Sequence, residues 1–101
     1  MRNRRLSAAR EIASNLPESE ERDHMGSPSF RVRGKIFVQL SEDESVVLVK
    51  LSLEEQEALL DSDPGRFRVP EYRSRYGWTY VRVSGTTYEQ LRDLIVRGRG
   101  V

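Results

Sequence analysis

The feature that most restricts the fold is strict two-residue alternation of apolar side chains on either side of a short glycine turn. In residues 26–40 (GSPSFRVRGKIFVQL), Phe30 and Val32 alternate with Arg31 and Arg33. After an Arg33-Gly34-Lys35 turn, Ile36, Val38 and Leu40 alternate with Phe37 and Gln39. Period two is the signature of a strand with unlike faces, and a tight turn between two such runs predicts a hairpin. Residues 77–83 (GWTYVRV) repeat the pattern, with Trp78, Tyr80 and Arg82 set against Thr79, Val81 and Val83. Residues 46–51 are nearly all apolar, which predicts a strand covered on both faces and hence central.

Helical signals occupy the gaps. Leu6, Ala9, Ala13 and Leu16 form one stripe at helical spacing, with Asn3 able to cap it and Pro17 ending it. The Arg, Ser and Ala content of this segment also suits an organellar transit peptide, but the continuous stripe favours an amphipathic first helix. Ser52 with Glu55, and Thr87 with Gln90, have capping-box spacing. The helix after Ser52 is expected to bury Leu53, Leu59 and Leu60 and to stop before Asp63-Pro64-Gly65. The last helix should bury Tyr88, Leu91, Leu94 and Ile95, with Gly98 ending it. Phe67 to Val69 reads as a short strand, and the acidic residues 18–23 as a solvated loop. One α+β domain over residues 1–101 follows, an antiparallel sheet in the order α-β-β-β-α-β-β-α with helices mainly on one face. Residues 1–3 and 98–101 are expected to fray. Phe30, Val32, Ile36, Val38, Leu48, Leu60, Trp78, Val81, Leu91 and Ile95 form the expected core.

Residue inventory excludes most chemistries. Cysteine is absent, which removes disulfides, thiolate metal sites and cysteine nucleophiles and fits a reducing cytoplasm. His24 is the single histidine and falls in an expected loop, so no His-His metal spacing and no Ser-His-Asp arrangement is available. The carboxylates at 42–44 and at 61 and 63 read as turn residues, since Pro64 interrupts any calcium-loop spacing. Gly34-Lys35 lacks the upstream glycine of a phosphate loop, and Ile36 stands where Ser or Thr would reach magnesium. No run approaches the ~20 apolar residues of a membrane span. The expectation is a chain with no catalytic residues, no metal and no cofactor.

What remains is cationic and aromatic. The formal net charge is +1, yet residues 64–82 carry Arg66, Arg68, Arg73, Arg75 and Arg82 against the single acid Glu71. By alternation, Trp78, Tyr80 and Arg82 face away from the helices, as do Arg31, Arg33, Lys35 and Phe37. Guanidinium and ammonium groups among aromatic rings suit nucleic acid, because cations neutralise phosphates while rings stack on bases. Arg31, Arg33, Lys35, Arg66, Arg68, Arg73, Arg75, Arg82, Trp78 and Tyr80 are the candidate contacts, for weak and sequence-tolerant binding. The same face would also serve a protein partner in an adaptor domain, since Arg, Tyr and Trp dominate interface hot spots. In a third reading, Trp78 and Phe37 are core residues beneath the last helix, with arginines extending past them at the rim.

From Leu16 to Ile95 the chain resembles the MmcQ/YjbR-like family. The matching pieces are Leu16-Pro17 with Glu20-Glu21, then Gly26-x-Pro28-x-Phe30-x-Val32-x-Gly34-Lys35-x-Phe37, and Glu57-Ala58-Leu59-Leu60. Phe67-x-Val69, Gly77-Trp78 with Val81-Arg82, and Leu91-Arg92-x-Leu94 complete the series. The resemblance implies a small cytoplasmic bacterial protein of the CyaY-like double-wing fold, commonly labelled DNA-binding, with no established active site. The chain departs from the family at Arg97-Gly98-Arg99-Gly100-Val101, where an Ala-Pro-Lys tail is usual.

Overall fold

The computed structural model describes residues 4–24, 26–41, 43–70 and 77–100. In chain order these form α1 (Arg4–Ser14), β1 (Ser19–His24), β2 (Ser27–Val32), β3 (Lys35–Leu40), β4 (Val46–Lys50), α2 (Leu53–Ser62), β5 (Phe67–Arg68), β6 (Trp78–Arg82) and α3 (Tyr88–Arg99). Six strands make one antiparallel sheet in the order β1-β2-β3-β4-β6-β5. The α+β class and the succession of helices and strands are those expected, with one strand more. Residues 18–23 were expected to be a loop, yet Ser19–His24 pairs along β2. The segment shows no apolar alternation because it is held as an edge by backbone bonds, and its charges discourage further pairing outward.

Cross-strand partners share a face, so the register locates the core. Phe30 lies opposite Val38, Val38 opposite Val49, Leu40 opposite Val47, and Val81 opposite both Val47 and Phe67. All are buried and form one cluster with Ala9, Ile12 and Ala13 of α1 and Leu91, Leu94 and Ile95 of α3. β4 is central, as its apolar run predicts, with Leu48 buried on the opposite face.

Two local features depart from simple periodicity. In the hairpin, Arg33 (φ 54°) and Gly34 (φ 82°) take left-handed conformations, the backbone of a type I′ turn whose twist suits the flanking strands. Of the expected Arg33-Gly34-Lys35 turn, Arg33 and Gly34 form the loop, while Lys35 already pairs with Val32 as the first residue of β3. Beyond it the β2–β3 register shifts: Phe30 opposes Val38 but Arg31 opposes Ile36, leaving Phe37 as the extra residue of a bulge. Alternation would send Phe37 outward; the bulge returns it to the core at 4% exposure. Ile36 instead opposes Arg31, and Lys35 opposes Val32, which packs on the core. Lys35 thus belongs to the helix side of the sheet end.

The helices follow their signals with corrections. Both halves of the Thr87–Gln90 capping box form. At α2 the Ser52 hydroxyl accepts from the Glu55 amide but donates to the Glu55 carboxylate, so only one half of the expected box is made. Leu53, expected inside, is 55% exposed, and Tyr88 of α3 is 50% exposed. The buried residue of α2 is Gln56, whose amide donates to the Trp78 carbonyl (2.8 Å) and to Thr79 Oγ1 (3.1 Å). Gly98 does not end α3, which runs on to Arg99. A Cβ at Gly98 would lie 2.7 Å from Val49 Cγ1 and 3.0 Å from the Lys50 carbonyl. The missing side chain lets the helix lie directly on β4. Val32, Ile36, Leu60 and Trp78 are half-buried rather than buried. Asn3 and Val101 lie outside the described residues.

Candidate nucleic-acid interface

On the face away from the core, one row of side-chain positions crosses the sheet: Arg68 opposite Tyr80, Tyr80 opposite Leu48, Leu48 opposite Gln39, Gln39 opposite Ser29, Ser29 opposite Arg22. Flanking rows pair Arg82 with Val46 and Trp78 with Lys50. Trp78, Tyr80 and Arg82 therefore share the outer face, as their alternation predicts, while Thr79 and Val81 are buried. The two rings are half-buried, so the reading of Trp78 as a core residue beneath α3 does not hold. For Phe37 it does.

Arg68, Tyr80 and Arg82, with Val46, Gly65 and Arg66, line a cleft of about 260 Å³. The Arg68 guanidinium lies 6.0 Å from the Tyr80 ring centroid, at the outer limit of a cation–π contact. The Arg82 Nε–H donates to the Ser84 carbonyl at 3.3 Å. Among the described residues neither arginine forms an ion pair. Arg66 differs. Its Nε–H donates to Asp63 Oδ2 (3.1 Å) and its Nη1 to Gly85 O, Thr86 Oγ1 and Gln90 Oε1, while the guanidinium sits 4.6 Å from the Phe67 ring centroid. With its side chain 15% exposed, Arg66 clamps the start of β5 to the turn before α3 and has little left for a ligand.

The remaining candidates lie elsewhere. Arg31 shares the outer face but belongs to β2, three strands and roughly 14 Å from β6. Glu20 stands directly across from it on β1. Arg33 projects from the hairpin turn with its Nη2 3.8 Å from Glu18 Oε1. Lys35 is at the sheet end on the helix side. Arg73 and Arg75, with Tyr72 and Tyr76, lie outside the described residues. Lys50 is an addition: it stands opposite Trp78, and its two-residue offset from Leu48 in the central strand was the available signal.

A family model described as YjbR matches residues 14–98. The chain belongs to the YjbR family. The YjbR-family fold also matches the crystal structure of Deinococcus radiodurans protein DR2400, described by the family-model domain DUF419, with a TM-score of 0.75. That match covers 85% of this chain and 69% of the other at 20% identity, which establishes a shared fold. Comparison with the curated proteins gives no match.

Other groups in this YjbR-family domain serve structure. His24 ends β1, opposite Ser27, rather than lying in a loop. Asp43 accepts from Ser45 Oγ (2.6 Å), Ser45 N (3.0 Å) and Ser41 Oγ (2.9 Å). These bonds, the Ser45 hydroxyl first, hold its carboxyl below the usual 3.8. That is turn chemistry, as the spacing predicts. Among the described residues no three His, Cys, Asp or Glu side chains are grouped to hold a metal ion. No helix among them is long and apolar enough to cross a membrane.

Proposed function

We propose that this domain binds nucleic acid weakly and without sequence preference, through the outer face of β4, β6 and β5. The observation that carries the reading is the placement of Arg68 and Arg82 around Tyr80, with Trp78 and Lys50 in the adjoining row, on a face that none of the described helices packs against. Cations that meet no acidic partner among the described residues are available to phosphate, and neighbouring rings offer a stacking surface indifferent to base identity. Arg73 and Arg75, in the connection between β5 and β6, add charge to the same part of the sequence. At the other side of the sheet Glu20 offsets Arg31, which limits the footprint to the β4–β6–β5 half. The role is binding rather than catalysis.

Fluorescence anisotropy with labelled single-stranded and duplex oligonucleotides tests the proposal. Binding of this kind has a Kd of about 10⁻⁴–10⁻⁶ M at physiological salt and weakens log-linearly as salt rises. Replacing both Arg68 and Arg82 with Ala should weaken binding to all sequences and reduce the salt slope by about 2. Absence of binding at about 50 mM salt would overturn the reading, as would a slope unchanged in the double variant. The face would then be a protein-docking surface, whose packed contacts respond little to salt.

A further inference from the structure

A second basic site lies at the hairpin end of the sheet. Arg33, Lys35 and Lys50 converge with Arg99 of α3 around a cleft of about 240 Å³, with Phe37 and Gly98 in its wall. The close approach of α3 to β4 at Gly98 brings Arg99 beside the strand ends. We infer that this cleft is a binding site for a compact phosphate, either the free ion or a phosphate monoester.

The charge balance is local. Four cations line the cleft, whereas the chain as a whole is formally +1. Among the described residues one carboxylate oxygen pairs with them: Glu18 Oε1 lies 3.8 Å from Arg33 Nη2 and 3.5 Å from Arg99 Nη2. Lys35 and Lys50 form no ion pair among the described residues. Arg99 is held in place, since its Nε–H and Nη2–H donate to the Pro17 carbonyl at 3.1 and 2.7 Å. A guanidinium fixed by backbone needs no ordering when a ligand arrives, and among the described residues its Nη1 makes no hydrogen bond. A phosphate dianion gains twice the Coulomb attraction of a carboxylate from each cation and accepts hydrogen bonds on three oxygens. The volume is that of about eight bulk waters, enough for a phosphate and a small substituent but short of a typical drug-sized pocket.

The inference does not depend on nucleic-acid binding, since Arg33, Lys35 and Arg99 lie outside the Arg68–Tyr80–Arg82 patch and only Lys50, opposite Trp78, borders both sites. The test is titration of the full chain with sodium phosphate and with glucose 6-phosphate, followed by amide chemical shifts. Glucose and sodium chloride at matched ionic strength are the controls. Both phosphates should shift the amides of Gly34, Gly98 and Arg99, and the controls should not. Lys35→Gln should weaken the affinity about tenfold, and Lys35→Gln with Lys50→Gln further, while thermal unfolding shows both variants folded. Arg68→Ala with Arg82→Ala should leave phosphate affinity unchanged, which separates this site from the oligonucleotide surface. Tighter binding of the monoester assigns the cleft to a phosphorylated small molecule, and tighter binding of the free ion to inorganic phosphate. Shifts no larger than those from chloride, or an affinity indifferent to the loss of both lysines, would overturn the site.

Discussion

At Gly77 and Gly98 the space for a single methyl group is already taken, though for different reasons. Gly77 has φ +81°, and a Cβ there would fall 1.9 Å from the Leu51 carbonyl oxygen. Its own carbonyl accepts from the Leu51 amide at 2.9 Å, tying the start of β6 to the end of β4. Gly98 has ordinary helical backbone and is crowded only by β4. Gly77→Ala should therefore combine the left-handed penalty of about 1–2 kcal/mol with a backbone collision. For Gly98→Ala, overpacking of about 1–3 kcal/mol opposes a helix-propensity gain of about 1 kcal/mol. Urea unfolding should show both variants destabilised, Gly77→Ala the more so, with Gly98→Ala reversing the sign expected of an exposed helical glycine. At this scale the sequence showed Gly77 as one end of a strand and Gly98 as a helix terminus. The collision partners become visible only once α3 lies on β4.

At the scale of elements, the helices and hairpins whose signals are local were legible. Thr87–Gln90 is a complete capping box because its bonds span three residues and need nothing from the rest of the chain. The β3–β4 turn is likewise self-contained, organised by Asp43 accepting from Ser41 and Ser45. Because the folded Asp43 carboxyl titrates below 3.8, its contribution to stability is present above that value and is lost as pH falls through the lowered one. Asp43→Asn should thus destabilise the protein at neutral pH, and the gap from the parent should close as the solution is acidified below about pH 4. Chemical unfolding from neutral to acidic pH checks this; a pH-independent gap would mean that shape, not charge, sets the role of Asp43. By contrast, β1 carried no legible signal. An edge strand paired on one side is not required to alternate, and Ser19–His24 does not.

For the whole molecule, the acidic edge separates this sheet from an open one. Glu20 and Arg22, 3.7 Å apart on the outer face, and Glu21, 3.6 Å from Arg10 of α1, place charge on both faces of β1. Charged edges oppose strand-to-strand association between copies. Glu20→Val with Arg22→Val should make the edge apolar on its outer face and produce species larger than the parent by size-exclusion chromatography with light scattering. An unchanged elution profile would show that the charges are not what limits the sheet. The same edge charges bear on function. Glu18 and Glu20 stand beside Arg33 and Arg31, so the cations that looked like one field in the sequence divide into two. One group surrounds Tyr80 and the other the hairpin-end cleft.

By itself the sequence determined the α+β class, the central apolar strand, the orientation of Trp78, Tyr80 and Arg82, and the N-terminal cap of the last helix. Each of these follows from periodicity or from bonds spanning a few residues, and both are written in local order. Tertiary structure decided the rest. The bulge at Phe37 inverts the alternation of Ile36 and Lys35, because a register shift depends on the partner strand and leaves no trace in the period of either one. Arg66 looked like one more free cation until the fold brought Asp63, Gly85, Thr86 and Gln90 around its guanidinium. Gln56 of α2 is buried because β6 presents the Trp78 carbonyl and Thr79 hydroxyl to it, twenty-two and twenty-three residues away. Which cation remains available for a ligand is a property of neighbours distant in the chain, and only folding brings those neighbours together.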